Sequence, residues 1–321
     1  MRERSRLNTA SADESFSELL AGLVRGDPNE FLHLLKEYET PLTLDGTRTV
    51  VRTHFLAVDA SGTPAVDLLA SSMARAAMDF CIPRSRVEEA AEYFQRTRST
   101  TQFSRLEQQA RELFVDADGT GEGGELLLFL LMERLLGLPQ LLAKMSLKTN
   151  GNVHVHGSDG IHASLGADGI LDVYWGESKL YKSSSDAFSD CFESIAPFLI
   201  ADGAETRKRD LLLVRDNLNV QHADLAAHLL EYFDETSPRQ LDIRWNGACL
   251  IGFDHDNYPN LNSLKEGQVE QLAKVVQRWQ KAVGLRLTKH NLVEVGIDVF
   301  CIPVPDVDAL RKAVRSKLGV S

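Results

Sequence analysis

Residues 172–181 read DVYWGESKLY. Val173, Tyr174, Trp175 and Tyr181 favour strands, and side chains alternate between the two faces of a strand. Val173, Trp175, Glu177 and Lys179 therefore share one face, an apolar row that ends in one acid and one base. Working upstream, residues 145–170, MSLKTNGNVHVHGSDGIHASLGADGI, are cut by Asn-Gly, Ser-Asp-Gly and Ala-Asp-Gly turns. Together with 172–181 they predict three short strands in an antiparallel meander.

Before the meander, ELLLFLLMERLLGL is apolar on nearly every side, the composition of a helix buried in a larger core. After it, SSDAFSDCFESIAPFL and ADLAAHLLEYFDE predict helices. The strand-like GACLIGFD, the amphipathic helix EGQVEQLAKVVQRWQKAV, the strand VEVGIDVFCIPV and the basic helix DVDALRKAVRSKL complete the order. From residue 122 onward this is an α/β (α+β) arrangement, a mixed sheet flanked by helices.

The first third reads differently. SFSELLAGLVRG and PNEFLHLLKEYE space their apolar residues like short helices, and TRTVVRTHFLAVDASG alternates like a strand. PAVDLLASSMARAAMDFCI and RSRVEEAAEYFQRT predict further helices, and no cluster of catalytic residue types occurs here. The Gly-rich break DADGTGEGGE, residues 116–125, marks a boundary between an accessory, partner-contacting region (1–115) and a functional domain (116–321). The break imitates a calcium loop through Asp116, Asp118, Thr120 and Gly121, but Leu127 stands where that loop needs a bidentate Glu.

Composition narrows the classes. The 321 residues are 43% hydrophobic and 25% charged, ordinary for a globular protein with a sizeable core. Cys81, Cys191, Cys249 and Cys301 are widely separated, which points away from a zinc ribbon or disulfide framework and fits a reducing cytoplasm. No apolar run approaches the roughly 20 residues that span a bilayer, and the charged start MRERSRLNTASADESF is not a secretory signal, so no membrane role is expected. A net charge of −11 argues against a chain that holds nucleic acid unaided, and leaves room for a nuclease fed its substrate by a partner.

Metal-dependent phosphodiester cleavage requires two or three carboxylates at a metal and a cation near the attacking water or the developing phosphate charge. Glu177 and Lys179 supply one of each, about 7 Å apart on one face at roughly 3.3 Å of rise per residue. The Ser178 side chain points away, but its backbone carbonyl is available as a further ligand. A second carboxylate, Asp159, precedes the middle strand, where a hairpin brings it beside Glu177. The plainer reading is a cross-face ion pair on an edge strand, contributing at most about 1 kcal/mol. On these residues alone both readings stand.

Asp159, Glu177-Ser178-Lys179, and Glu125 on the helix before the first strand together resemble the PD-(D/E)xK nuclease superfamily, whose core is αβββαβ. More closely, GEGGELLLFLLMERLL, SDGIH and YWGESKLY resemble the HamA family, the nuclease-like effector subunits of the Hachiman anti-phage defence system, which work with a helicase partner, HamB. This likeness covers residues from about 115 to 300, and Ser158-Asp159 stands where the superfamily has Pro-Asp. The resemblance implies a DNA nuclease in which Asp159 and Glu177 bind Mg²⁺ or Mn²⁺ and Lys179 orients the attacking water and stabilises the transition state. It makes Glu125 the further acid, with Glu122 as its rival.

Smaller signals surround this set. His162 is a candidate to support the cleft, and Tyr181 and Lys182 are placed to touch a phosphate. His154 and His156 share a strand face and could form a zinc pair, although no third ligand is evident. The basic runs at 207–209 and 311–317 read as solvated faces.

Overall fold

The computed structural model describes residues 15–114, 121–147, 157–200, 204–220, 223–234 and 236–320. The strands are β1 (Leu35–Glu37), β2 (Leu42–Thr43), β3 (Val50–Leu56), β4 (Gly160–Leu165), β5 (Leu171–Tyr181), β6 (Ile243–Asp254) and β7 (Gly296–Val304). They form one sheet in the order β1-β3-β7-β6-β5-β4, with β2 also paired to β3. The four central strands, β3, β7, β6 and β5, run parallel. At the margins β4 is antiparallel to β5, and β1 and β2 are antiparallel to β3.

Parallel strands are covered on both faces, which explains the nearly unbroken apolar runs GACLIGF and VFCIPV. Helices supply the cover. They are α1 (15–21), α2 (Val66–Arg75), α3 (Ala77–Cys81), α4 (Arg84–Thr97), α5 (Thr101–Glu112), α6 (Glu122–Leu130), α7 (Ser184–Leu199), α8 (Ala204–Asp216), α9 (Ala223–Phe233), α10 (Glu266–Lys289) and α11 (Val307–Leu318). One core joins Val173, Trp175, Cys249, Ile251 and Val299 to Phe188 and Phe192 of α7 and Val276 and Trp279 of α10. The other joins Leu180, Ala248, Leu250, Phe300 and Ile302 to α2, α6 and α11. The alternation along β5 and β6 thus sends odd-numbered residues toward α7 and even-numbered ones toward α6.

The expected mixed sheet with flanking helices is present, and β3, β5, β6, β7, α7, α9, α10 and α11 form where the patterns place them. One expectation is corrected. PNEFLHLLKEYE is not a helix: Pro28–Glu30 and Leu32–Leu34 make single 3-10 turns and Leu35–Glu37 becomes β1. Pairing of Leu35 with Leu56 overrides the helical spacing, because a buried backbone takes its hydrogen bonds from the sheet edge on offer. The first strand of the expected meander, with His154 and His156, lies outside the described residues, as do Asp116, Asp118 and Thr120. The sheet itself runs across the division drawn at residue 115: β3 pairs with β7, and Arg52 reaches Asp298 at 3.1 Å.

Candidate active site at the start of β4

The hairpin register sets Gly160 opposite Gly176, which puts Asp159, one step earlier, level with Glu177. The Asp159 N–H donates to the Gly176 carbonyl at 2.9 Å. Its carboxylate Oδ2 accepts from both the N–H and the hydroxyl of Ser178, each at 2.7 Å. The N–H and C=O of a strand residue point to the same side, so the Ser178 carbonyl also faces the edge where β4 has not yet begun. Farther along that edge, the Arg311 guanidinium donates to the Leu180 carbonyl.

Glu177 and Lys179 lie on the α7 face, their Oε1 and Nζ 2.5 Å apart. The Cys191 thiol of α7 donates to the Glu177 carbonyl at 3.6 Å. Glu177 is only 6% exposed. Burial, and then the charge of Asp159, push its carboxyl up to about 7, against the opposing pull of Lys179 and a hydrogen bond from Ser194. Burial also raises the Asp159 carboxyl, although Ser178, Lys144 and Lys179 all act to lower it. Burial works against the Lys179 ammonium, but Glu177 outweighs it and holds the group charged well above the ordinary lysine range.

Both carboxyls are thus displaced upward despite nearby lysines, so the junction favours an added proton or cation. Two carboxylates and a carbonyl are hard oxygen donors. Mg²⁺ commonly binds through one or two carboxylates while keeping several waters, so these residues fit such an ion. Among the described residues no group of three His, Cys, Asp or Glu is assembled to hold a metal, so neither Glu125 nor Glu122 completes a triad with Asp159 and Glu177.

Helix α6 explains where those two acids sit. Gly124 packs so closely that a Cβ there would lie 3.0 Å from the Ser178 hydroxyl, and Leu128 closes over Gly176. At about 100° per residue, Glu125 flanks the face that meets β5 and Glu122 lies on the far side. Glu122 is buried, Glu125 half-buried.

The remaining candidates separate. His162 is buried beneath α6, on the face opposite Glu177, with Nδ1 2.8 Å from the Leu138 carbonyl. Burial lowers its pKa to about 4. Tyr181 shares the Glu177 face, where burial and then Asp190 of α7 raise its hydroxyl. Lys182 is exposed and pairs with Asp308 at 2.7 Å. The basic runs are not simply solvated. Arg207 is buried, donates to the Phe198 and Ile200 carbonyls at the end of α7, and lies over the Trp245 ring. Lys144 escaped the sequence reading because nothing in the local pattern marks it, whereas Arg311, counted there in a solvated basic run, turns back to the edge of β5.

A family model for HamA matches residues 29–318. The chain belongs to the HamA family. It is therefore a component of the Hachiman anti-phage defence system. No curated protein matches it. The HamA match starts far upstream of residue 115, so β1–β3 and α2–α5 belong to the family's common extent rather than to this chain alone. Among the described residues, no helix is long and apolar enough to cross a membrane.

Proposed function

We propose that this HamA-family chain is the metal-dependent DNA nuclease of its defence system and cleaves phosphodiester bonds under the control of a HamB-like helicase. The observation that carries the reading is the junction itself: Asp159 level with Glu177, Lys179 on the same face, and both carboxyls displaced upward. Asp159, Glu177 and the Ser178 carbonyl would hold Mg²⁺ or Mn²⁺. When bound, the ion supplies Lewis-acid polarisation of a phosphate oxygen and acidifies a bound water.

Lys179 has a role of its own. Because Glu177 holds its ammonium charged, it acts as a hydrogen-bond donor and positive charge, orienting the attacking water and stabilising the extra negative charge of the transition state. The chain's charge of −11 limits its unaided affinity for a polyanion, which makes delivery by the helicase part of the mechanism.

The test is cleavage of supercoiled plasmid with Mg²⁺ or Mn²⁺, with and without the helicase partner. Glu177→Ala and Lys179→Ala should each lose on the order of 10²-fold or more in rate, the scale for removing a group that stabilises transition-state charge. Cleavage surviving both substitutions would place the activity elsewhere. The absence of a three-acid group among the described residues favours one second reading, a docking subunit that holds the helicase or a DNA end without cutting. Under that reading Glu177→Ala leaves helicase binding intact and the wild type binds no Mn²⁺.

A further inference from the structure

Ser158, the residue immediately before Asp159, is held from both sides. Its N–H and hydroxyl donate to one oxygen of Asp210 in α8, at 3.1 and 3.4 Å. Its carbonyl accepts from the Lys144 ammonium at 2.5 Å. Ser158 is 1% exposed and Asp210 4%, so water does not compete freely for these bonds. Gly157 brings the chain into this clamp with φ +126°, and a Cβ there would lie 2.6 Å from the Asp210 carboxylate oxygens. Only glycine meets both demands. The clamped peptide leads directly into the Asp159 N–H bond to Gly176, and so into the carboxylate's placement on Ser178.

We infer that Asp210 and Lys144 are positioning residues for Asp159, fixing its carboxylate by gripping the preceding residue. The clamp also gives Ser158 a physical purpose in place of proline. It needs a backbone N–H and a hydroxyl, and proline has neither. Neither Asp210 nor Lys144 touches the reacting atoms; each grips Ser158, and Lys144 also lends its charge to the neighbouring Asp159. The inference rests on the proposed nuclease site, but the clamp can be measured without any cleavage.

The experiment uses the full chain and two readouts: amide hydrogen exchange over residues 157–161, normalised to β6 and β7, and Mn²⁺ titration by calorimetry. Asp210→Ala should raise exchange in that segment about tenfold and weaken Mn²⁺ binding by about 10- to 100-fold, the range for residues that orient a metal's ligands. Asp210→Asn retains an amide oxygen that accepts from Ser158 and should stay near the wild type in both. Lys144→Met, losing the carbonyl's donor and with it the positive charge that lowers the Asp159 carboxyl, should fall between them. If Asp210→Ala leaves segment exchange unchanged, or Asp210→Asn is as damaging as Asp210→Ala, the clamp is overturned. A wild type that binds no Mn²⁺ but still shows the Ala-versus-Asn difference in exchange would remove the metal reading and keep the clamp. Mn²⁺ binding that depends on Glu177 and ignores Asp210 would do the reverse.

Discussion

Two buried acids, one directly after helix α6 and one on the α7 face of β5, have surroundings that could hardly differ more. Glu133 sits in a π-helical turn, Leu131–Leu135, directly after α6, with its side chain fully buried. Its Oε1 accepts from Arg84 at 3.1 Å and from the Gln140 N–H at 2.9 Å, and its Oε2 accepts from the Arg25 N–H at 2.9 Å. Arg84 in turn donates to the carbonyls of Leu23, Gln140 and Asn219, tying four separate parts of the chain together. Glu177, by contrast, has one close cation and a second carboxylate beside it, and its carboxyl is pushed up to about 7. The first arrangement is closed, with every oxygen matched. The second holds unspent negative charge at the rim of a sheet. The same residue types serve stability in one place and, on the proposed function, chemistry in the other; the neighbours decide.

Substitution should separate the two most sharply. Glu133→Ala leaves Arg84 and Arg25 buried without their acid, a change that typically costs about 3–5 kcal/mol. Glu177→Ala removes a destabilised carboxylate whose partner, Lys179, has a partly exposed side chain, and should cost about 1 kcal/mol or less. Denaturant midpoints of the two variants measure the difference. Equal losses would erase the distinction.

The next effect is in pH. The Glu177 carboxyl rises from an ordinary 4.5 to about 7 on folding. Between those values the folded chain keeps a proton that the unfolded chain has released, so this group's contribution makes stability fall as pH rises from about 4.5 to 7, and stay level above. The steepest slope for one group is about 1.4 kcal/mol per pH unit. The stability difference between wild type and Glu177→Gln, measured by thermal unfolding at intervals from pH 5 to 8, should shrink or reverse across this window. A difference independent of pH would mean that Glu177 is as well matched as Glu133. Divalent metal should stabilise the wild type more at pH 8 than at pH 6, because protons compete for the same oxygens.

Much of the second region could be read from sequence, and little of the first. Strand alternation alone put Glu177 and Lys179 on one face, and turn chemistry put Asp159 at the head of the neighbouring strand. Both signals are local, with periods of two residues and a short loop. The Glu133 network joins residues more than 100 positions apart, as in Arg25 to Glu133 and Arg84 to Asn219, and no periodicity encodes such contacts. The same limit hid Asp210, which meets Ser158 across 52 residues, and turned the end of the helical pattern, Leu35–Glu37, into an edge strand. Helices α5 and α8 escaped notice for a different reason: their polar composition resembles a solvated segment, and α8 is held partly through the buried charged groups Arg207 and Asp210.

Lys182 offers the smallest effect and tests whether the contrast extends to the surface. It stands one residue beyond β5, with its side chain 67% exposed and paired to Asp308. An exposed pair of this kind contributes little to folding, so Lys182→Ala should leave the melting temperature unchanged. If the phosphate backbone passes the end of β5 on its way to Lys179, the same substitution should weaken DNA binding equally for all sequences and reduce the slope of log affinity against log salt by about one. Asp308→Ala, which frees Lys182 from its partner, should strengthen that binding instead. Opposite shifts from the two variants would place the DNA path over this end of the sheet. Identical affinities would move the path to the other side of α7 and leave Lys182 a surface residue with no part in the site.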